Sequence, residues 1–375
     1  MKKIVFLIDN LKGGGAEKAI KIIVEGLVQR KYKPIIILLE NKKDYTLLEG
    51  IEVYTLSNSM TKYNFIFLFF KLLTLLKQLH ADIVYATNTK AQVLLLLTKP
   101  FIELQRVINI QVDLTKQYEN REYLFILFAK LLNFADSYSF ISHGIYESLK
   151  LKIPQKKTVF IPNAIDFAEI DTKKIESIDE KYQYIFTKKV FVTIGRLTQQ
   201  KGQWDLIEAF YHTKLDAHLV ILGSGEKEQE LKALVKKYSL EEKVFFLGFQ
   251  SNPFKFLYNA DIFVLSSLWE GFGNVIVEAM RCELPVISTD CKSGPREILA
   301  PDTDITLDTQ RVEMAKFGIL TPVANPIILA QALSEIYYND DLAKNYRQRS
   351  IQRAKDYSKE LIVEEFENYF IQSMK

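Results

Sequence analysis

Short apolar runs alternate with amphipathic stretches along most of this chain. "KIVFLI" (3–8) has the length and branched content of a buried strand. After a polar and glycine turn comes "AEKAIKIIVEGLVQR", in which Ala16, Ala19, Ile20, Ile23, Val24 and Leu27 recur at helical spacing. The same alternation predicts strands at 34–39 ("PIIILL"), 82–86 ("DIVYA"), 106–110 ("RVINI"), 137–142 ("SYSFIS") and 158–162 ("TVFIP"). A second set follows at "VFVTIG", "HLVILG", "VFFLG", "DIFVLS" and "PVIST". Apolar strands separated by helices form parallel sheets covered on both faces. Two such sets, with the turn "IPNAID" (161–166) between them, predict two Rossmann-like domains, 1–162 and 163–357. A last helix, 358–375, is expected to pack back on the first domain.

Composition fits this picture: 375 residues, 48% apolar and 25% charged, suit a soluble chain of more than one domain. Cys282 and Cys291 lack metal or redox spacing and read as reduced thiols of a cytosolic protein. The opening "MKKIVFLIDN" reads as a strand, so no leader is expected, and no run of 18 apolar residues predicts a membrane span. Charge is uneven. Residues 1–162 hold 23 Lys+Arg against 14 Asp+Glu, a net of +9; the remainder holds 26 against 32, a net of −6. A basic first domain suits an anionic partner, a membrane surface or a phosphorylated acceptor; the alternative is a solvated lysine-rich surface. Nothing points to nucleic acid. "YNFIFLFFKLLTLLKQLH" (63–80), with Lys62, Lys71 and Lys77, and "REYLFILFAKLLNF" (121–134) are strongly apolar helices. The apolar side of 63–80 is wider than a sheet requires, which predicts peripheral contact of 65–79 with the inner face of the cell membrane.

Open α/β sheets bind ligands beyond the carboxyl ends of their strands, and two such domains facing each other would enclose a cleft. Each candidate for chemistry follows a predicted strand. "KGGGAEK" brings Gly13, Gly14 and Gly15 to the start of a helix, where backbone N–H groups can approach a phosphate or sugar. "GRLTQQKGQWDLIEAF" (195–210) places Arg196 and Lys201 on one connection, a fork and a point charge for a diphosphate. Gly223 and Gly225 form another turn, and Gly248 with Phe249 could rest against a base. In "LWEGFGNVIVEAM" (268–280), Glu270 lies in a loop and Glu278 one turn into a helix, with Asn274 as the expected N-cap. Two carboxylates flanking a helix N-terminus suit a ligand with hydroxyls at both ends and a diphosphate in the middle, the shape of a nucleotide-sugar.

Together, "GGGAEK", "PNAID", "GRL…KG", "LGSGE", "LGF", "WEGFGNVIVEAM" and "PVISTDCKSGPREIL" resemble the retaining glycosyltransferases of the GT-B fold, family 4, whose E-x7-E pattern matches Glu270 to Glu278. The resemblance covers nearly the whole chain and implies an α/β GT-B architecture, two Rossmann-like domains facing each other across a cleft. It implies that Glu270 contacts donor-sugar hydroxyls, Glu278 the ribose, and Arg196 and Lys201 the diphosphate. Gly248 and Phe249 would border the base, Gly223, Gly273, Asn274 and Val275 the phosphates or sugar, and Gly14 and Gly15 the border of donor and acceptor. Two positions depart from the family. A histidine after "RVINI" is replaced by Gln111 and Asp113, and Ser-Glu by Ser142-His143. Asp113 therefore becomes a candidate for acceptor binding or proton transfer, and His143 either joins the diphosphate and acceptor border or is a surface or satisfied histidine.

The activity implied is retaining transfer of a hexose or N-acetylhexosamine from a UDP-sugar to a polyprenyl-diphosphate-linked or cell-surface oligosaccharide, in the cytoplasm at the membrane surface. The leaving phosphate would deprotonate the acceptor. No cofactor is expected. Asp302 and Asp304 in "PDTDI" read as a surface loop, and no metal is expected because Arg196 and Lys201 supply the positive charge. A UDP-sugar epimerase and a non-catalytic transferase-like subunit are the alternatives.

Overall fold

A computed structural model of the chain describes residues 3–59 and 63–373. It divides into two compact units, one running to Ile165 and resuming at Lys359, the other Asp166–Ser358. The sequence places the boundary at 162/163. The structure places it three residues later, because Ile161 and Ala164 are buried in the core of unit 1 and Asp166 caps the first helix of unit 2.

Unit 1 runs β1 (Ile4–Ile8), α1 (Gly15–Gln29), β2 (Ile35–Glu40), β3 (Glu52–Ser57), α2 (Phe65–Leu79), β4 (Ile83–Ala86), α3 (Thr89–Leu97), β5 (Gln105–Ile110), α4 (Leu114–Gln117), α5 (Glu122–Leu131), β6 (Ser137–Phe140), α6 (His143–Leu149) and β7 (Lys157–Phe160). Its strands form one parallel sheet in the order β3-β2-β1-β4-β5-β6-β7, with Val5 opposite both Ile35 and Val84. β1, β2 and β4 are buried along their whole length, which is why they read as unbroken apolar runs. Right-handed crossovers send α1 to one face of this sheet and α2, α3 and α5 to the other. The C-terminal helix, Lys359–Ser373, packs on α1. Its Phe366 meets Phe6 and Tyr85 with ring centroids 5.8 and 4.9 Å apart. The helices approach closely at Gly26, where a Cβ would lie 2.5 Å from Val363 Cγ2. Arg30 closes the crossing by pairing with Glu367.

Unit 2 runs α7 (Phe167–Lys174), α8 (Glu180–Gln183), β8 (Lys189–Ile194), α9 (Gln203–Thr213), β9 (Ala217–Leu222), α10 (Glu228–Lys237), β10 (Val244–Gly248), α11 (Phe254–Asn259), β11 (Ile262–Leu265), α12 (Asn274–Arg281), β12 (Val286–Thr289), α13 (Pro295–Leu299), β13 (Glu313–Met314), β14 (Ile319–Thr321), α14 (Pro326–Tyr338) and α15 (Asp340–Ala354), followed in unit 1 by the C-terminal helix, α16. Its sheet order is β10-β9-β8-β11-β12-β14-β13, parallel except for β13 against β14. Strand order reverses between β8 and β11, so this unit's ligand crevice is expected beyond the carboxyl ends of those two strands.

Candidate functional site

The loops after β8 and β11 meet at that reversal and are tied together by one backbone and two side-chain hydrogen bonds. Leu268 N–H donates to Gln200 O at 2.8 Å, Ser266 Oγ to Lys201 O at 3.0 Å, and Gln200 Nε2 to Trp269 O at 2.9 Å. Gly202 permits the contact: its φ of +57° is left-handed, and a Cβ there would lie 2.4 Å from Ser266 O. The loop after β9 docks on the same edge. Gly223, at φ +136°, leaves a space in which a Cβ would lie 2.0 Å from Gly195 O, and its N–H reaches Gly248 O at 2.8 Å. These glycines let the strand ends come together with little but backbone between them.

The charged centre of this edge is an ion pair. Lys201 Nζ lies 2.5 Å from Glu270 Oε1, which also accepts from Ser267 Oγ at 2.6 Å. Glu270 is buried, and its other oxygen, Oε2, accepts no hydrogen bond from any described residue. Thr289 Oγ1 holds Ser267 in place through the Ser267 carbonyl, at 2.6 Å. Beside the pair lies the buried Cys291 thiol, pushed well above its ordinary range by burial and then by the neighbouring carboxylate of Glu270, so it stays protonated. Arg196 is exposed on the same connection as Lys201 and has no side-chain partner among the described residues.

Glu278 and Val275 are half-buried on α12, Glu278 at its fifth position. The N-cap of this helix is Gly273, left-handed at φ +90°, and Asn274 is the first helical residue. The expected Asn274 cap is therefore shifted by one, since the backbone turns through the residue that tolerates positive φ. Phe249 stands exposed beyond the end of β10.

Gly14, Gly15, Asp113 and His143 belong to unit 1. Gly14 is the N-cap of α1, and Gly15 opens the helix. The Glu17 carboxylate folds over Gly14 and accepts from Asn88 Nδ2 at 3.3 Å. Asp9, at the end of β1, accepts from Ala91 N–H at 3.1 Å, and burial pushes its carboxyl up to about 6. Asp113 caps α4, its Oδ1 accepting from Thr115 N–H and Oγ1 at 2.9 and 2.6 Å, so that oxygen is committed to holding the turn. His143 opens α6 and stacks on Phe160 with centroids 3.7 Å apart.

Asp302 pairs with Lys316, and Asp304 accepts from Thr306 N–H and Oγ1, so each carboxylate serves its own loop. Among the described residues, no group of three or more His, Cys, Asp or Glu is placed to hold a metal ion. Arg296, from "SGPREIL", is buried and clamps Asp290 and Glu313, which fastens β13 to the sheet. Sequence reasoning passed over Ser267, Ser266 and Gln200, which position the ion pair. Their only signal was their place between the end of a strand and a candidate residue.

Three comparisons bear on this geometry. The family described as glycosyl transferases group 1 matches residues 174–355. An uncharacterized glycosyltransferase of Methanocaldococcus jannaschii is 39% identical over 59% of this chain and 58% of its own length. The N-acetylgalactosamine-N,N'-diacetylbacillosaminyl-diphospho-undecaprenol 4-alpha-N-acetylgalactosaminyltransferase of Campylobacter jejuni is 30% identical over 99% of this chain and 100% of its own. Among solved structures, HepE of Anabaena in complex with UDP superposes with a TM-score of 0.83, covering 99% of this chain and 100% of that one at 23% identity.

Proposed function

The chain belongs to the glycosyl transferases group 1 and is a glycosyltransferase of the two-domain GT-B architecture; we propose that it transfers an N-acetylhexosamine or hexose, with retention, from a UDP-sugar to an oligosaccharide carried on a polyprenyl diphosphate. The observation that carries this reading is the full-length match to the Campylobacter jejuni transferase, whose name specifies an undecaprenol-diphosphate acceptor and an N-acetylgalactosaminyl product. A second Campylobacter jejuni transferase named for an undecaprenol-diphosphate glycan matches 98% of the chain at 26% identity. The UDP in the HepE complex supports the choice of nucleotide.

In this reading the diphosphate lies at the edge formed by β8 and β11. Arg196 and Lys201 meet its charge, and the first-turn N–H groups of α12 add to it. Glu278 accepts from the ribose hydroxyls. Glu270 spends Oε1 on Lys201 and Ser267 and offers Oε2 to a sugar hydroxyl. Lys201 thus ties sugar recognition to leaving-group stabilisation. The bond from the anomeric carbon to the diphosphate breaks and the acceptor oxygen bonds to that carbon on the same face. The acceptor proton passes to the departing phosphate oxygen. We assign the acceptor to the Gly14–Gly15 end of unit 1 and place the reaction at the cytoplasmic membrane surface, with the basic unit 1 (α2, 65–79) toward the lipid. Among the described residues no helix is long and apolar enough to cross a membrane.

The test is a panel of UDP- and GDP-sugars, with and without an undecaprenyl-diphosphate-linked saccharide, scored for released nucleotide and for the sugar product. Acceptor-dependent release from a UDP-sugar is expected. Epimer formation without acceptor, or no turnover with any donor, contradicts the reading. Turnover is expected to persist in excess EDTA, because in this reading Arg196 and Lys201 supply the charge a metal would; loss of activity that Mg²⁺ restores contradicts that assignment.

A further inference from the structure

In the unit 2 sheet the neighbour of β11 on the side away from β8 is β12. The turn that leaves β12, residues 290–294, lies against the loop that holds Glu270. Thr289 anchors Ser267, and the Cys291 thiol feels the Glu270 carboxylate. Gly294 is left-handed at φ +92°, and a Cβ there would collide with the Phe272 carbonyl. Ser293 is left-handed too, at φ +73°. It is 7% exposed, and its Oγ has no hydrogen-bond partner among the described residues. A strained turn with an orphaned hydroxyl persists only where its surroundings hold it firmly.

One guanidinium does the holding. Arg296, on α13, is buried. Its Nε donates to Asp290 Oδ1 at 3.0 Å and its Nη2 to Asp290 Oδ2 at 2.5 Å. Nη1 and Nη2 donate to Glu313 Oε1 and Oε2 at 3.1 and 2.8 Å, and Nη1 also to Thr303 Oγ1 at 3.1 Å. Every donor of the fork thus has an acceptor. Asp290 Oδ2 takes one more bond, from Thr309 N–H at 2.8 Å. Residues 300–312 join α13 to β13 with no helix or strand. A stretch of that length without regular structure is uncommon inside a compact domain and is usually functional. Thr303, Thr309 and Glu313 lie near its start, along it and just past its end, so the Arg296–Asp290 pair straps the whole stretch to the residue next to Cys291. Stability alone does not account for this clamp. Replacing a buried ion network with apolar side chains is often neutral or stabilising, and β13, which the clamp fastens, is only two residues long.

We propose that Arg296 is a positioning residue of the donor-sugar seat: through Asp290 it holds the 290–294 turn and the 300–312 strap against the Glu270 loop, and so sets which hexose the seat accepts. The inference rests on the proposed function, in which the base lies beyond β10, the diphosphate at β8 and β11, and the sugar on Glu270. Along the order β10-β9-β8-β11-β12, the next group the sugar meets is the β12 turn. The test measures affinity for UDP, UDP-glucose, UDP-galactose and their two N-acetylhexosamine counterparts by titration calorimetry, and kcat/KM for the four sugars, on the full chain. The proteins are wild type, Arg296→Lys, which keeps the charge and loses the fork, and Thr303→Val, which removes one bond of the strap and buries no charge. Thr303→Val keeps the test decisive if Arg296→Lys does not fold. Both variants are expected to bind UDP within roughly twofold of wild type, because the nucleotide's contacts lie on other loops. Arg296→Lys is expected to lose roughly fivefold or more of the wild-type preference between the best UDP-sugar and its C4 epimer, and Thr303→Val roughly twofold. A role in folding alone would lower the melting temperature and weaken all five ligands together. That result, or a wild-type preference kept in both variants, overturns the proposal. A wild type that discriminates among UDP-sugars and transfers none of them to any acceptor would sink the enzymatic reading alone, and a wild type that binds no UDP would sink both.

Discussion

Lys201 and Glu270 make separable predictions for stability and for catalysis. Replacing Lys201 with Met leaves a carboxylate that is only 7% exposed without its cation. Breaking a buried pair from one side costs about 3–5 kcal/mol, and the surviving bond from Ser267 favours the lower end, about 3 kcal/mol. For a unit of this size each kcal/mol moves the midpoint by about 2–4 °C, so Lys201→Met is expected to melt roughly 6–12 °C lower. Glu270→Gln is milder, because the Lys201 ammonium can turn to solvent. The double variant Lys201→Met/Glu270→Gln buries no unpaired charge and is expected within about 1 kcal/mol of wild type. Turnover behaves differently: both Lys201→Met and the double variant lose about 10²-fold or more, since the leaving diphosphate has lost a preorganised cation. The assays are thermal unfolding at pH 7.5 and coupled detection of released UDP. A Lys201→Met variant melting with wild type would refute the energetic argument, and a double variant with wild-type turnover would refute the catalytic one.

Two further outcomes follow from single sites. Gly223→Ala places a Cβ 2.0 Å from Gly195 O at a φ of +136°, so unit 2 is expected to lose ~3 kcal/mol or more, read by urea denaturation; a loss under about 1 kcal/mol would mean the strand-end loops are loosely packed. Asp9 is held at about 6 by burial, with Glu17 and Glu40 adding to the rise and the Ala91 N–H and Lys90 opposing it. The folded state therefore holds its proton up to a higher pH than the unfolded chain, and stability falls as pH rises from about 4 to 6 and stays low above that. Asp9→Asn is expected to stabilise the protein by about 1–2 kcal/mol above pH 7 and by nothing at pH 4, and equal melting shifts at both would contradict this.

The strands that read most clearly in the sequence are those covered on both faces, because burial on both sides leaves unbroken apolar runs. β3 was not read. It is an edge strand, exposed or half-buried except at Leu56, and "EVYTLS" carries no apolar run. β13 and β14 were missed because two or three residues cannot display a period. The loops carrying Arg196, Lys201 and Glu270, and the helix start carrying Glu278, were legible because each follows the end of a strand. The pairing of Lys201 with Glu270 was not: 69 residues separate them, and only the strand order brings them together. Lys71 shows the same limit. Its place in an apolar helix suggested a cation facing lipid, whereas its ammonium donates to backbone carbonyls of the neighbouring edge strand. Lys62 lies outside the described residues.

The central claim is that a nucleotide diphosphate binds where the loops after β8 and β11 meet. A crystal structure with UDP tests it directly. The account predicts the diphosphate within hydrogen-bonding reach of Arg196 and Lys201 and the ribose hydroxyls on Glu278. UDP bound away from these side chains, or density at this edge that does not change on soaking, would contradict it.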